Sequence, residues 1–271
     1  MFEKGDPMPP ENAKNFVGQA YVKRLITRQD LNCPISNVTF EPGCRNNWHK
    51  HSHGQILLCI TGRGLYQEKG KEARVLLPGD VVEILPNVEH WHGAQADSEF
   101  THLAITTHCH ENHTEWLQPV TDDEYAQAQP KTPVTREPVS TLFPMGEKNL
   151  PQYSKFFIGQ SYLCPLSTNK ELNCPTFNVS FEPGCRNNWH IHTGGQILLC
   201  VAGRGLYQER NKPAQLMTPG TVIEIPPNVE HWHGATADSW FSHVAIETNP
   251  GGKNTWLEPV DDEQYKSAQP K

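Results

Sequence analysis

Two stretches of the chain carry residues suited to binding a metal ion. "NNWHKHSHGQ" runs over residues 46–55, and "NNWHIHTGGQ" over 187–196. On a strand, residues i and i+2 face the same side, with backbones about 6.5–7 Å apart. His49 with His51, and His190 with His192, therefore each aim two imidazoles into one space. Gln55 and Gln196 follow a turn built on Gly54 and Gly195, and bring a third donor from the next strand. His90 and His231 stand further along, in "VEHWHGA", and supply a fourth. Three imidazoles and one amide oxygen suit Zn, Fe, Ni, Mn or Cu, and leave room for water or substrate. An isolated H-x-H is more commonly a polar surface pair. Here that reading has to explain an entire set of histidines written twice.

The repetition organises the whole chain. From Phe2 to Ile105, residues match their mates at a constant offset of 141, as from His49 to His190 or from His90 to His231. The register slips by one residue after Thr106. His49, His51, His90, His92 and His102 recur as His190, His192, His231, His233 and His243. His53, His108, His110 and His113 do not, and Gly194 stands where His53 would recur. Each unit is far longer than a solenoid repeat, so two domains are expected, 1–130 and 143–271. They are joined by a linker over 131–142, rich in proline and threonine.

The elements that must position these donors are short strands. "NVTFEPG", "QILLCITGRG", "RVLLPGD", "VVEILPN" and "FTHLAI" are apolar runs, four of them closed by Gly or Pro-Gly/Pro-Asn turns, a spacing that argues for an all-β sandwich or barrel. Only the tail of each unit reads as helix. Thr121 precedes Glu124 by three, and Asp261 precedes Gln264 by three, as at a capped helix start.

Bulk properties exclude some functions. The chain has 271 residues and a net charge of −7, so no basic excess exists to neutralise nucleic-acid phosphates. No apolar run approaches the length of a membrane span. The start, "MFEKGDPMPPENAK", has no apolar segment of a secretory signal, so a cytoplasmic location is expected, with the eight cysteines as thiols. Cys44 and Cys185, close to the histidines, read as buried structural thiols. Trp48, Trp91, Trp189 and Trp232 have the opposite strand parity to the ligands and should pack outside the barrels.

Gly43, His49-x-His51, Gln55 and Gly62 resemble the first motif of the cupin family, with glutamine in place of the usual glutamate. "PGDVVEILPNVEH", 78–90, resembles the second motif, although Val88 occupies the neighbourhood of its usual glycine. Gly184, His190, His192, Gln196, Gly203 and "PGTVIEIPPNVEH" ending at His231 repeat the likeness. The resemblance implies two tandem jelly-roll β-barrels, a bicupin, with short C-terminal helices. It also implies one divalent ion (Mn, Fe, Zn or Ni) per domain, held by His49, His51, Gln55 and His90, and by His190, His192, Gln196 and His231. A narrower likeness is to cupins with a His-His-Gln-His site. These include cupin-type hydroxynitrile lyases and the cupin modules attached to carboxymuconolactone-decarboxylase-like proteins.

A neutral glutamine leaves the full +2 charge on the ion, which favours Lewis-acid work on an oxygen of the substrate. Lyase, decarboxylase or isomerase chemistry on a small oxygen-bearing molecule is therefore expected, with His102 and His243 as acid–base groups, since the resembling lyases place a histidine here near the metal. His92 and His233 are either orienting neighbours or pocket walls. The alternatives are a non-catalytic module binding or sensing a sugar or small acid, and a metal-dependent dioxygenase. Ser36 and Phe177 are mates on the strand before H-x-H, so the first cavity should be the more open. A monomer or a homodimer satisfies the sequence equally.

Overall fold

The computed structural model describes the chain except residues 133, 137–140, 150, 250 and 271. The expected linker thus lies partly outside the described residues. Of its remainder, Arg136 donates to Pro78 O at 2.9 Å and pairs with Asp80 at 2.6 Å.

Each half consists of two antiparallel sheets. In the first half one sheet runs Asp6–Pro7, Ala20–Arg24, Ile35–Phe40, Phe100–Thr106, Gln55–Gly62, Val81–Ile84. The other runs Thr114–Trp116, His49–His51, His90–Ala94, Arg45–Asn46, Phe16–Val17, with Gly64–Glu68 paired to His90–Ala94 and Arg74–Leu76 paired in turn to Gly64–Glu68. The second half repeats this architecture, an all-β pair of jelly-roll-like barrels. The strand runs read from the sequence are present. The N-terminal strands and Thr114–Trp116, which carry weaker patterns, complete the sheets.

The run "QILLCI" is apolar on both faces because both faces are covered. Leu57 and Cys59 join Phe40, Val82, Ile84 and Phe100 inside the first barrel. Ile56, Leu58 and Ile60 face the other way, into a core shared with Ile197, Leu199 and Val201 of the second half. Continuous apolar strands are what two-sided burial requires. The two halves therefore pack sheet against sheet, with Leu31 and Leu172 fully buried between them and the Cys33 and Cys174 sulfurs 3.8 Å apart. Polar contacts edge this core. Thr27 and Arg28 donate backbone N–H bonds to the Glu224 carboxylate at 3.0 and 2.8 Å, and the Ser167 hydroxyl donates to Glu83 at 2.6 Å. All eight cysteines are free thiols. Burial pushes the Cys44 and Cys185 thiols up to about 12, as befits structural residues.

Helices Asp122–Ala128 and Asp262–Ser267 both begin with complete capping boxes, Thr121 with Glu124 and Asp261 with Gln264. Two further one-turn helices, Pro10–Ala13 and Pro151–Ser154, start on proline, which is preset for a first helical turn. The first C-terminal helix lays Tyr125 and Ala128 over Trp48 and Trp91, and the second lays Tyr265 and Ala268 over Trp189 and Trp232. The tryptophans therefore pack outside the barrels, as their parity requires. No described helix is long and apolar enough to cross a membrane.

Candidate metal centre

Strand register delivers the donors. His49 lies directly opposite His90 on one side and Trp116 on the other, and His51 lies opposite Thr114. Directly opposed residues of antiparallel strands share a face. His49, His51 and His90 thus converge, with ring centroids 5.0, 4.1 and 5.5 Å apart for the pairs 49–51, 49–90 and 51–90. Their ligand atoms all lie within 4.8 Å of one another, and so do those of His190, His192 and His231. Gln55 arrives from the facing sheet. The turn before it needs glycine: Gly54 has φ +82°, and a Cβ there would sit 2.5 Å from Ile84 O and 2.4 Å from Leu172 of the other half.

Hydrogen bonds to carbonyls fix the form of two rings in each half. His49 Nδ1 lies 2.9 Å from Asn47 O, and His90 Nδ1 lies 2.9 Å from Val88 O. A carbonyl only accepts, so Nδ1 carries the proton and Nε2 keeps its lone pair. Asn188 O and Val229 O repeat this at 2.9 Å for His190 and His231. Buried His51 Nε2, His90 Nε2 and Gln55 Oε1 have no hydrogen-bond partner among the described residues, nor have His192 Nε2, His231 Nε2 and Gln196 Oε1. Buried acceptors left this way are costly unless something engages them. Lone pairs on convergent buried donors fit a divalent cation.

Burial also disfavours the charged form of five of these rings. It lowers His51 to about 3, His90 to about 4 and His231 to about 3, and holds His49 and His190 well below the ordinary imidazole range. At pH 7 each of these can accept a cation without first losing a proton.

Behind the ligands stands a second row of rings. His92 packs on His49 and His90 with centroids 5.6 and 6.0 Å away. Asn46 holds it twice: its amide donates to His92 Nε2 at 3.1 Å, and the His92 backbone N–H donates to Asn46 Oδ1 at 2.9 Å. Asn187 does the same for His233. His102 comes next, edge-on to His92 at 4.9 Å and sandwiched between Phe40 and Phe100 at 5.6 and 5.3 Å. It is fully buried, and neither ring nitrogen has a hydrogen-bond partner among the described residues. His243 sits identically between Phe181 and Phe241. Burial lowers both rings to about 3. The structure thus brings His49, His51 and His90 together and places His102 one ring further back, against His92.

The halves differ at the mouth. Trp116 covers His49 with centroids 4.7 Å apart and is 37% exposed. Trp256 covers His190 at the same distance, but Phe156 stacks on it at 4.6 Å. The mate of Phe156 in the first half is Asn15. Ser36 lies opposite Ala104, and Phe177 opposite Ala245, in the rows that face the barrel interiors. Both differences set less bulk at the first site.

Sequence reading missed Trp116, Thr114, Asn46 and Glu247. Thr114 Oγ1 lies 3.0 Å from His51 Nδ1. In the second half the Glu247 carboxylate takes that place, 3.2 Å from His192 Nδ1 and accepting from Gln196 Nε2 at 3.1 Å. The available signal was that Glu247 is the mate of Thr106.

Comparison with known proteins agrees with this geometry. The cupin domain family matches residues 36–106 and 177–245. An (R)-mandelonitrile lyase of Granulicella tundricola is 42% identical over 90 residues, which is 33% of this chain and 69% of that protein. The structure of oxalate decarboxylase from Bacillus subtilis aligns over 89% of this chain and 74% of its own, at 15% identity and a TM-score of 0.56. The 11S allergen of Cocos nucifera aligns over 94% and 92%, at 10% identity and a TM-score of 0.61. At such identities the two structures speak for the fold alone. With the family matched in both halves and a convergent histidine triad in each, the chain belongs to the cupin family and is a bicupin.

Proposed function

We propose that each half holds one divalent cation, through His49, His51, Gln55 and His90 in the first and His190, His192, Gln196 and His231 in the second. On this reading the protein is a metal-dependent enzyme of lyase, decarboxylase or isomerase type acting on a small oxygen-bearing molecule. One observation carries the proposal: each triad is buried with its ligand atoms within 4.8 Å of one another, and beside it His51, Gln55 and His90, like His192, Gln196 and His231, turn inward lone pairs that nothing among the described residues engages. When bound, the cation supplies Lewis-acid polarisation of a substrate oxygen, undiminished by a charged ligand.

The chain's own groups do the rest. Asn47 O and Val88 O lock the Nδ1 protons of His49 and His90 and so orient both rings. Trp116 shields the outer face of His49 from water. His92 cannot serve readily as a base, because its Nε2 lone pair already accepts the Asn46 amide N–H. His102 has a ring lone pair that no group among the described residues engages, which leaves it the better candidate for acid–base work. It is assigned the hydroxyl proton of the substrate, with His243 as its counterpart.

The similarity to a mandelonitrile lyase makes cyanohydrins the first substrates to offer. Cleaving one removes the hydroxyl proton, forms the carbonyl as the C–CN bond breaks, and releases cyanide, which takes up the proton; proton acceptance and polarisation of the oxygen are the two tasks proposed for this site. Mandelonitrile turnover by metal-loaded protein, followed as aldehyde absorbance with and without oxygen, should be oxygen-independent and lost in the His102→Leu/His243→Leu double variant. Turnover that needs oxygen would indicate dioxygenase chemistry instead. The complete burial of His102 and His243 favours one other reading, a non-catalytic small-ligand binder. Ligand affinity without turnover across cyanohydrins and related hydroxy and carbonyl compounds would establish it.

A further inference from the structure

The two candidate centres share their backbone partners and differ in one charged group. In both, carbonyls two residues upstream hold the first and last imidazoles at 2.9 Å. The middle imidazole and the glutamine are held differently. Thr106 lies opposite Gln55 in the first half, and Glu247 lies opposite Gln196 in the second. Glu247 uses both carboxylate oxygens: Oε2 accepts from His192 Nδ1–H, and Oε1 accepts from Gln196 Nε2–H. One side chain thereby orients two donors at once, turning His192 Nε2 and Gln196 Oε1 inward. In the first half His51 Nδ1 meets the Thr114 hydroxyl instead, which can donate or accept and carries no charge. No Lys or Arg pairs with Glu247 among the described residues, so its charge is not cancelled by a neighbour.

We propose that Glu247 makes the second half the tighter of two unequal divalent-cation sites, so that limiting metal fills it first and the first half holds the exchangeable ion. This rests on the reading of both triads as cation sites. Three effects act in the same direction. A carboxylate accepting the Nδ1 proton raises the basicity of the ligating imidazole. It fixes the tautomer and the amide orientation before the ion arrives. It also places a negative charge one residue away from a dication. Groups in this position typically alter metal affinity by about 10–100-fold. The mouths accord with the assignment, since Phe156 stacks on Trp256 over His190, whereas Asn15 stands in the mate position beside Trp116, which is 37% exposed.

Competition titration of metal-free full-length protein with Zn(II) against a chromophoric chelator tests this. His49→Ala and His190→Ala each leave one centre to be read alone. His49→Ala should retain the tighter affinity and His190→Ala the weaker, about 10–100-fold apart. In the His49→Ala background Glu247→Thr should weaken binding to near the His190→Ala value. In the His190→Ala background Thr106→Glu should strengthen it, a gain that a misfolded variant cannot imitate. Equal affinities, or a tighter first half, would overturn the role of Glu247 while leaving both cation sites standing. Absence of Zn(II) binding in the parent protein would remove the underlying reading, and this proposal with it.

Discussion

Replacing His102 by leucine should make the protein less sensitive to acid. His102 is fully buried between two phenylalanines, its ring nitrogens have no hydrogen-bond partner among the described residues, and burial lowers it from 6.5 to about 3. The sign follows from linkage. A depressed imidazole is neutral in the folded chain and takes up a proton on unfolding, so its contribution is present above pH 6.5 and is lost as pH falls toward 3. At pH 7 roughly a quarter of unfolded chains are protonated at this position, and at pH 5 roughly 97%. Between these values the parent loses about 2 kcal/mol through this one ring. Leucine differs from histidine in shape and in stacking, but that difference is the same at both pH values and cancels. The assay is equilibrium guanidinium unfolding of metal-free parent and His102→Leu at pH 7 and pH 5. The gap in stability between them should shift by about 2 kcal/mol in favour of the variant. Identical acid losses in both would refute the reasoning, since His102 would then be free to protonate in the folded protein.

Three further outcomes are expected. Asn46→Ala leaves a buried N–H and ring nitrogen of His92 without their partners and should cost about 1–3 kcal/mol, seen as a lower thermal midpoint. Leu31→Ala and Leu172→Ala, mates in the shared core, should each cost about 2–5 kcal/mol in one cooperative transition, whereas two separate transitions would mean that the halves do not stabilise each other. Trp116→Ala should speed release of Zn(II) from the first half to a chelator, measured in the His190→Ala background, and an unchanged rate would show that Trp116 does not cover the site.

Much of this organisation is legible in the sequence because it rests on parity and turns. The H-x-H pairs share a face, the tryptophans between and beside them fall outside, and Gly54 marks the turn that brings Gln55 round. "QILLCI" gives its strand away but not the reason for its continuous apolarity, which is a second apolar surface some 141 residues distant. Trp116 and Glu247 are less visible. Trp116 reaches His49 through a strand pairing that neither composition nor alternation marks. Glu247 matters only because the register sets it opposite Gln196, and a Thr-to-Glu difference between two repeats looks like surface drift until that register is known. The position of His102 behind His92 is likewise a matter of depth, since both lie on inward faces and alternation cannot rank them.

Metal content measures the central claim most directly. Purified parent protein loaded with Zn(II) and freed of excess should carry two ions per chain by elemental analysis, His49→Ala or His190→Ala one, and the double variant none. Two ions retained in the double variant, or none in a folded parent, would contradict the account.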